Sequence, residues 1–401
     1  MSQTAAKTIP SAPLRVLQIN SKFTGGGTDN QCVKLAAGLR EFGHNVWLAG
    51  PDGREYSRIT RELGIPLQVT PPEGLAKFRF ILAVAKFVRR ERFQIVHGHH
   101  GRDFWPAILA ARLSGVRPKI VLTRHLAKSP ASWGSRHFLL GQCDALIAVS
   151  NFVAKVLREG VYEPASPEPE RRARPPILGD HSIIRVAHGG IDTHQFRPGD
   201  ASAQRREWGL APHHFAFAVA GGYTLPRGKG QREFLQAAAR IHEKIPDARF
   251  LIIGRGNMQA VLENDIRQLG LTGKAWLTPY AQDMPAVMNA IDCLVHPQVG
   301  TEAFGLVVCE AHACGTPVIA SALDGIPEAF NTVGYGQLVQ PEDIGELAAA
   351  MQTWAAHPRK DERERLELHR RITEQFSLPA AARRVLEIYQ SLLSPVAQPV
   401  N

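Results

Sequence analysis

Short apolar runs alternate with longer stretches of helical period along most of the chain. The first run, LRVLQIN (14–20), ends in a glycine loop, SKFTGGGTDN. QCVKLAAGLREFG then carries apolar residues at helical spacing, and HNVWLAG is a second run. Strand, helix, strand at this spacing predicts the βαβ unit of a parallel sheet. The rhythm continues through FQIVHGHH (93–100), KIVLTRH (119–125) and DALIAVS (144–150), each ending in polar residues. It breaks at EPASPEPERRARPPILGD (163–180), rich in Pro, Glu and Arg without periodicity, which predicts a mobile surface insertion and not a core element. A second series follows: FAFAVAGG (215–222), ARFLIIGRG (248–256), KAWLTPY (274–280), DCLVHPQ (292–298) and PVIASA (317–322). The pattern therefore predicts an α/β fold of two successive Rossmann-like domains, residues 1–190 and 191–377. A final helix, within 378–401, could pack on either domain. In open α/β sheets ligands bind beyond the carboxyl ends of the strands, where these polar residues collect.

The length of 401 residues agrees with two domains, and 44% hydrophobic with 21% charged residues is an ordinary globular composition. The five cysteines (Cys32, Cys143, Cys293, Cys309, Cys314) are scattered and odd in number. That favours a reducing compartment over a disulfide framework or zinc site. No apolar core of signal-peptide length precedes the first run, and no stretch approaches a transmembrane helix, so a cytoplasmic protein is expected. The charge is more informative. Residues 1–190 hold 27 Lys and Arg against 14 Asp and Glu, whereas the remainder holds 20 against 23. The whole basic excess lies in the first half, which calls for an anionic partner there. Aromatics do not interleave with the basic residues, and no nucleic-acid-binding pattern is present, so a membrane surface or anionic acceptor ranks above nucleic acid.

Candidate chemistry begins with GGYTLPRGKG (221–230). A strict phosphate loop places four residues between its first glycine and the Gly-Lys pair, then a Ser or Thr. Here five separate Gly222 from Gly228, and Gly230 takes the hydroxyl position. In HPQVGTEAFGLVVCEAHACGTPVIAS, Glu302 lies in a glycine-flanked loop and Glu310 falls about one turn inside a helix that begins near Leu306. Two such carboxylates can grip opposite ends of a long polar ligand, while the amides of Phe304, Gly305 and Leu306 face an anion. The plain alternative is a pair of capping and solvated charges. His97, His99 and His100 do not make a metal set, because adjacent strand residues point to opposite faces and no Cys or carboxylate pattern completes them. They are expected to line an acceptor cleft. A nicotinamide-dependent dehydrogenase is excluded: TGGGTDN lacks the G-x-G-x-x-G spacing and the second strand ends without an acidic residue.

Glu302, seven residues, Glu310 and then ACGTPVIAS resemble the E-x7-E signature of retaining glycosyltransferase family 4, whose GT-B fold sets two Rossmann-like domains across a cleft. The resemblance spans nearly the whole chain. GGGTDNQCVKLAAGLREFGHNVWLAG is similar to the family's opening loop and helix; IVHGHH, VLTRH, IAVSNFVAKVL, GGIDTHQFRP, IIGRGN and DCLVHPQ follow in family order; LEIYQSLL resembles the helix that crosses back to the first domain. The resemblance implies a nucleotide-diphosphate sugar as donor substrate, with no other cofactor. It implies that Glu310 accepts from the ribose hydroxyls and Glu302 from the donor sugar. The amides of Phe304, Gly305 and Leu306 would hold sugar and diphosphate. Gly25, Gly26 and Gly27 would let the first domain approach the diphosphate, and Gly254 and Tyr280 would complete the donor-binding set. His125 matches the histidine near the anomeric carbon, with an orienting or electrostatic role; by itself it reads as a strand-end histidine satisfied by backbone. The chain has no Asp-x-Asp pair, so no metal is implied, and cations must stabilise the departing diphosphate. Lys229 occupies the family's lysine position, but Tyr223 or Thr224 stands where the arginine belongs, and Arg227 is the nearby replacement.

The resemblance looks closest to the lipopolysaccharide-core branch, implying a glycan or lipid-linked acceptor at the cytosolic membrane face. Two basic segments, residues 75–93 and 125–141 with Trp133, Arg136 and His137, each read either as solvated faces or as surfaces for anionic lipid. The alternatives are a synthase with a small soluble acceptor and a catalytically silent nucleotide-sugar-binding protein.

Overall fold

A computed structural model describes residues 12–21, 26–51, 53–70, 77–278, 283–357 and 361–394. In the first half, strands β1 (Arg15–Ile19), β2 (Asn45–Pro51), β3 (Leu67–Thr70), β4 (Ile95–Gly98), β5 (Lys119–Arg124) and β6 (Ala145–Ala148) are followed by a small hairpin, β7 (Val161–Tyr162) and β8 (Ala173–Arg174), and by β9 (Ile184–Val186). The second half contributes β10 (Phe215–Ala220), β11 (Ala248–Ile253), β12 (Ala275–Thr278), β13 (Cys293–His296), β14 (Val318–Ser321) and β15 (Gly336–Val339). Two parallel sheets result, ordered β3-β2-β1-β4-β5-β6-β9 and β12-β11-β10-β13-β14-β15. All ten apolar runs are strands. Besides the β7–β8 hairpin, the strands that the pattern does not mark, β3, β9 and β15, are all at sheet edges. An edge strand is covered less completely and can be short and partly polar, as LQVT, IRV and GQLV are.

The interior strands are buried on both faces, as parallel sheets with helices on either side require. Alternate residues of the first sheet serve separate cores. Leu17, Val96, Leu122 and Leu146 pack under the helices Lys77–Glu91 and Phe104–Leu113, whereas Val16, Ile95, Val121 and Ile147 face the helix Gly27–Glu41. That second core is completed by the last helix, Leu378–Leu393, which supplies Ala382, Val385, Ile388 and Tyr389. Each such buried aliphatic side chain is worth roughly 1.5–3 kcal/mol. The chain thus crosses between domains twice, and the crossings lie side by side: Ile191 bridges to Ser377, and its N–H donates to the Phe376 carbonyl at 2.8 Å. Across the cleft, the Glu328 carboxylate of the second domain accepts from the Asn151 and Phe152 N–H groups at 2.8 and 2.7 Å. It thereby sits on the positive end of the helix Asn151–Arg158.

The 163–180 segment differs from its expected character. It contains the helical turn Pro169–Arg172 and strand β8, and Arg174 is 1% exposed. Several of its charges are paired: Arg174 with Glu163 and Asp324, Arg171 with Glu163, and Glu168 with Arg227. Composition could not show this, because Asp324 and Arg227 are distant in sequence.

The last helix lies so close to the first that a Cβ on Gly38 would stand 2.9 Å from Ala382 Cβ. Gly38→Val is therefore expected to destabilise the protein by roughly 1–3 kcal/mol, measured as a lower urea midpoint. An unchanged midpoint would show that this helix contact carries no stability.

Candidate functional site

Strand order reverses beside β1 and β4 in the first sheet and beside β10 and β13 in the second, and the loops leaving these strands converge. Between them lies a cleft of about 330 Å³ lined by Gly27, Thr28, His125, Lys229, Glu302, Phe304, Gly305 and Leu306 among others. This is the position at which doubly wound sheets bind ligands.

The 221–230 loop is shaped by Gln231, fully buried at the start of the helix Gln231–Ile241. Its side-chain oxygen accepts the Lys229 N–H at 2.6 Å. Gly230 has φ 86°, and a Cβ there would fall 1.9 Å from the Pro297 carbonyl oxygen. The glycine that stands in place of a phosphate-loop hydroxyl is thus required by contact with the loop after β13. This contact brings Lys229 Nζ to 2.9 Å from Glu302 Oε2. Burial pushes the Glu302 carboxyl up, but the Lys229 ammonium outweighs it and holds the group below the usual range. Lysine and glutamate form one charged unit on the cleft wall.

The helix Leu306–Ala313 starts at Gly305, whose φ of 93° suits glycine. In its first turn the Val308 N–H turns back to the Gly305 carbonyl at 3.0 Å, which leaves the amides of Leu306 and Val307 without an intrahelical partner beside the cleft that Leu306 lines. The Phe304 side chain is a core residue, 4% exposed, packed against Phe376 and His188, so only its backbone serves the cleft. Glu310 shares Leu306's helix face one turn on. Among the described residues its carboxylate has no hydrogen-bond partner; burial pushes it up from 4.5 to about 7, with Lys34 pulling the other way.

The histidines form a buried ladder. Tyr389 OH lies 2.6 Å from His97 Nδ1, whose Nε2 is 2.6 Å from the Thr123 hydroxyl. The His97 ring stacks on His99, with centroids 4.2 Å apart, and His99 Nδ1 is 3.4 Å from His125 Nε2. His99 Nε2 is buried without a partner among the described residues. An unmatched acceptor is tolerated better than an unmatched donor. The arrangement therefore assigns the His99 proton to Nδ1, donating to His125 Nε2, and leaves His125 its Nδ1–H for the cleft. Burial lowers His125 to about 3, with His100 and Arg124 adding to the effect, so the ring is neutral at physiological pH. His97 and His99 are interior groups, and His100 turns to Asp29 at 2.9 Å. The expected row of acceptor-lining histidines is not formed, because packing against Tyr389 and Thr123 claims the first of them.

Arg227 is not in the cleft. It lines a separate depression and pairs with Glu168, Glu233 and Glu342. Burial acts against its charge, but the Glu168 hydrogen bond and the other two carboxylates outweigh it and raise the guanidinium further. Its expected reach to a diphosphate is corrected: three carboxylates hold it elsewhere. Gly26 caps the helix Gly27–Glu41, and a Cβ on Gly27, which lines the cleft, would meet no atom of the described residues within 4 Å. Gly254 has φ 150° and allows contact with the Gly221 carbonyl, a packing role behind the 221–230 loop. Gly25 and Tyr280 lie outside the described residues. One residue was missed: His296, which ends β13, is 2% exposed with neither ring nitrogen paired, and burial lowers it to about 4 in the field of Glu302 and Lys229. A polar residue closing an otherwise apolar strand was the available signal.

Glu310 gives a pH signature. Its folded pKa exceeds its unfolded one, so the stability difference is absent below about pH 4.5 and accumulates as a penalty up to about pH 7. Glu310→Gln is expected to match the wild type at pH 4.5 and to exceed it at pH 8 by roughly 1–3 kcal/mol. Urea unfolding at both pH values checks this; equal midpoints at pH 8 would contradict it.

Comparison with known proteins agrees with this geometry. The family described as "Glycosyl transferases group 1" matches residues 218–372, and "Glycosyltransferase Family 4" matches residues 25–166. A D-inositol 3-phosphate glycosyltransferase of Mycobacterium leprae (strain Br4923) is 35% identical over 310 residues, which cover 70% of this chain and 67% of the relative. The enzyme of that name from Mycobacterium sp. (strain KMS) is 36% identical over 176 residues, and the match spans 38% of its length. Among solved structures, Anabaena Alr3699/HepE in complex with UDP-glucose superimposes with a TM-score of 0.75 at 19% identity, covering 94% of this chain and 100% of that one. The chain belongs to glycosyltransferase family 4 and has its GT-B fold.

Proposed function

We propose that the protein is a retaining, metal-independent glycosyltransferase. It moves a sugar from a nucleotide-diphosphate sugar to an anionic acceptor, lipid-linked or part of a lipopolysaccharide-type glycan, at a membrane surface. The observation that carries the transferase reading is the Lys229–Glu302 pair at the start of the helix Leu306–Ala313, with Glu310 one turn on. Donor binding exchanges this pair for better partners. The diphosphate takes Lys229 and the helix amides, the sugar hydroxyls donate to Glu302, and the ribose hydroxyls donate to Glu310. Charge then builds on the departing diphosphate, and Lys229 stabilises it in a water-poor cleft. Neutral His125 orients the donor sugar through its Nδ1–H and carries no charge to the reaction. The absence of an Asp-x-Asp pair from the sequence and the position of Lys229 support metal independence. With no covalent nucleophile assigned, retention follows most simply from front-face attack. A donor of the UDP type is favoured by the UDP-glucose that the Anabaena neighbour holds.

The acceptor side rests on the basic first domain. On the helix Lys77–Glu91, Phe78, Arg79, Leu82, Lys86, Arg89 and Arg90 are all exposed, so Phe78 and Leu82 lie outside the packed face. Leu109 and Leu113 are exposed on the neighbouring helix, and Trp133 and Phe138 lie exposed nearby in sequence, at 67% and 52%. Apolar side chains among exposed cations suit an anionic lipid surface. No described helix is long and apolar enough to cross a membrane. A second reading, a small soluble phosphorylated acceptor, is favoured by the inositol 3-phosphate in the relatives' names.

Lys229→Ala is expected to lower turnover of the preferred nucleotide sugar by about 10²–10³ in the presence of excess chelator, which leaves the wild type unaffected. Near-normal turnover of the variant, or loss of wild-type activity with chelator, would contradict the mechanism. In co-sedimentation, vesicles containing anionic lipid are expected to retain the protein better than neutral vesicles, with salt reducing the difference. Equal retention would favour the soluble acceptor.

A further inference from the structure

The segment between β7 and β8 reaches from the first domain to the two loops of the second that carry Lys229 and Glu302. Arg174, at its end, has a fully buried side chain. It donates to both oxygens of Asp324, at 3.0 and 2.9 Å, and to Glu163 at 3.1 Å, while its guanidinium lies over the Phe152 ring. Asp324 belongs to the turn after β14 and is itself 1% exposed in its side chain. The oxygen at 2.9 Å from Arg174 also accepts the Glu302 N–H at 3.2 Å, and the next residue, Gly325, donates its N–H to the Glu302 carbonyl at 3.1 Å. A Cβ on Gly325 would stand 2.1 Å from the Ala303 carbonyl oxygen, so the two loops touch through backbone. Asp324 has φ 49°, a left-handed conformation that aspartate tolerates but does not prefer. Two further contacts run in parallel: Glu168 to Arg227, and Glu170 to the Thr301 hydroxyl at 3.4 Å.

We propose that Arg174 is a positioning residue for the donor site, acting through Asp324 to hold Glu302 in place and so tying the site's geometry to contact between the two domains. The inference rests on the donor role given to Glu302 above. Its physical basis is the cost of burying Asp324 alone. Burial already pushes this carboxyl up against the pull of Arg174. An unpaired buried carboxylate would protonate or turn to solvent, and either change alters the acceptor that fixes the Glu302 amide. Because Arg174 comes from the other domain, separation of the domains removes the counter-ion and frees the 299–306 loop. Rejoining them restores it. The 163–174 insertion thereby acts as a sensor of closure for the donor carboxylate.

Arg174→Met, Arg174→Lys and Asp324→Asn separate positioning from simple adhesion. Kinetics with the nucleotide sugar that the wild type turns over fastest are compared with UDP affinity by calorimetry, melting temperature, and hydrogen exchange of peptides spanning 299–306. Arg174→Met and Asp324→Asn are each expected to lower kcat at least tenfold with UDP affinity changed less than threefold, and not to add when combined. Exchange at 299–306 rises at least tenfold, and Arg174→Lys recovers part of kcat. Should Arg174→Met not fold, the isosteric Asp324→Asn decides alone. A kcat within threefold of the wild type in a folded variant, or a kcat loss no larger than the loss of UDP affinity, overturns the proposal. Unchanged exchange at 299–306 overturns it whether or not the protein turns over any donor. A wild type inactive with UDP-, GDP- and ADP-sugars overturns the transferase reading instead, and the exchange result still decides the Arg174 link.

Discussion

Two chain crossings side by side, at Ile191 and Ser377, hold the two sheets with their strand ends facing each other. Everything at the cleft depends on that constraint. A parallel sheet exposes its polar loops only at strand ends, and only where the order reverses do neighbouring loops diverge enough to admit a ligand. Placing two such points opposite each other doubles the number of loops that can contribute. The helix Leu378–Leu393 secures the arrangement from behind. Its apolar face belongs to the first domain's core although its sequence follows the second domain, so the end of the chain is anchored on the domain where the chain begins.

The charges divide between those that hold the molecule together and those left for a ligand. Arg174 and Arg227 are surrounded by carboxylates, two for the first and three for the second, and both join the 163–174 segment to the second domain. Arg174 is fully buried, and a charge so buried is costly unless paired; removing one partner costs more than the pair contributes. Lys229 and Glu302 also pair with each other, but both keep some exposure at the cleft. Glu310 has no partner at all among the described residues and stays poised near neutrality. The distinction lies in surroundings and not in residue type: arginine at position 227 would serve a diphosphate well if three glutamates did not hold it away.

The histidine cluster follows the same logic. His97, His99 and His125 are neutral because burial opposes their charge, and the His99–His125 contact assigns one hydrogen-bonding role to each of those two rings. In the proposed reaction a neutral imidazole at His125 would position a sugar hydroxyl without repelling Lys229. The tie to Tyr389 also links the cleft wall to the crossing helix.

How much of this was legible in the chain differs by scale. Residue order alone determined ten of the sheet strands, the two-domain division, the loops that bear Lys229 and Glu302 and the helix that bears Glu310, because period-2 and period-3.6 patterns and turn glycines are local signals. It also placed Gly230 in a tight turn. It did not contain the reason, which is the Pro297 carbonyl 67 residues further along the chain. The short edge strands were hidden because their stability comes from a neighbour and not from their own apolar content. Only the tertiary structure decided that Arg227 leaves the cleft, that the 163–180 segment packs between domains, that His296 lies unpaired beneath Glu302, and that Phe78 and Leu82 face outward. Each of these depends on which charge or surface lies within a few ångströms. Coulomb energy and burial depend on distance in space, and a chain read in order carries no such distances.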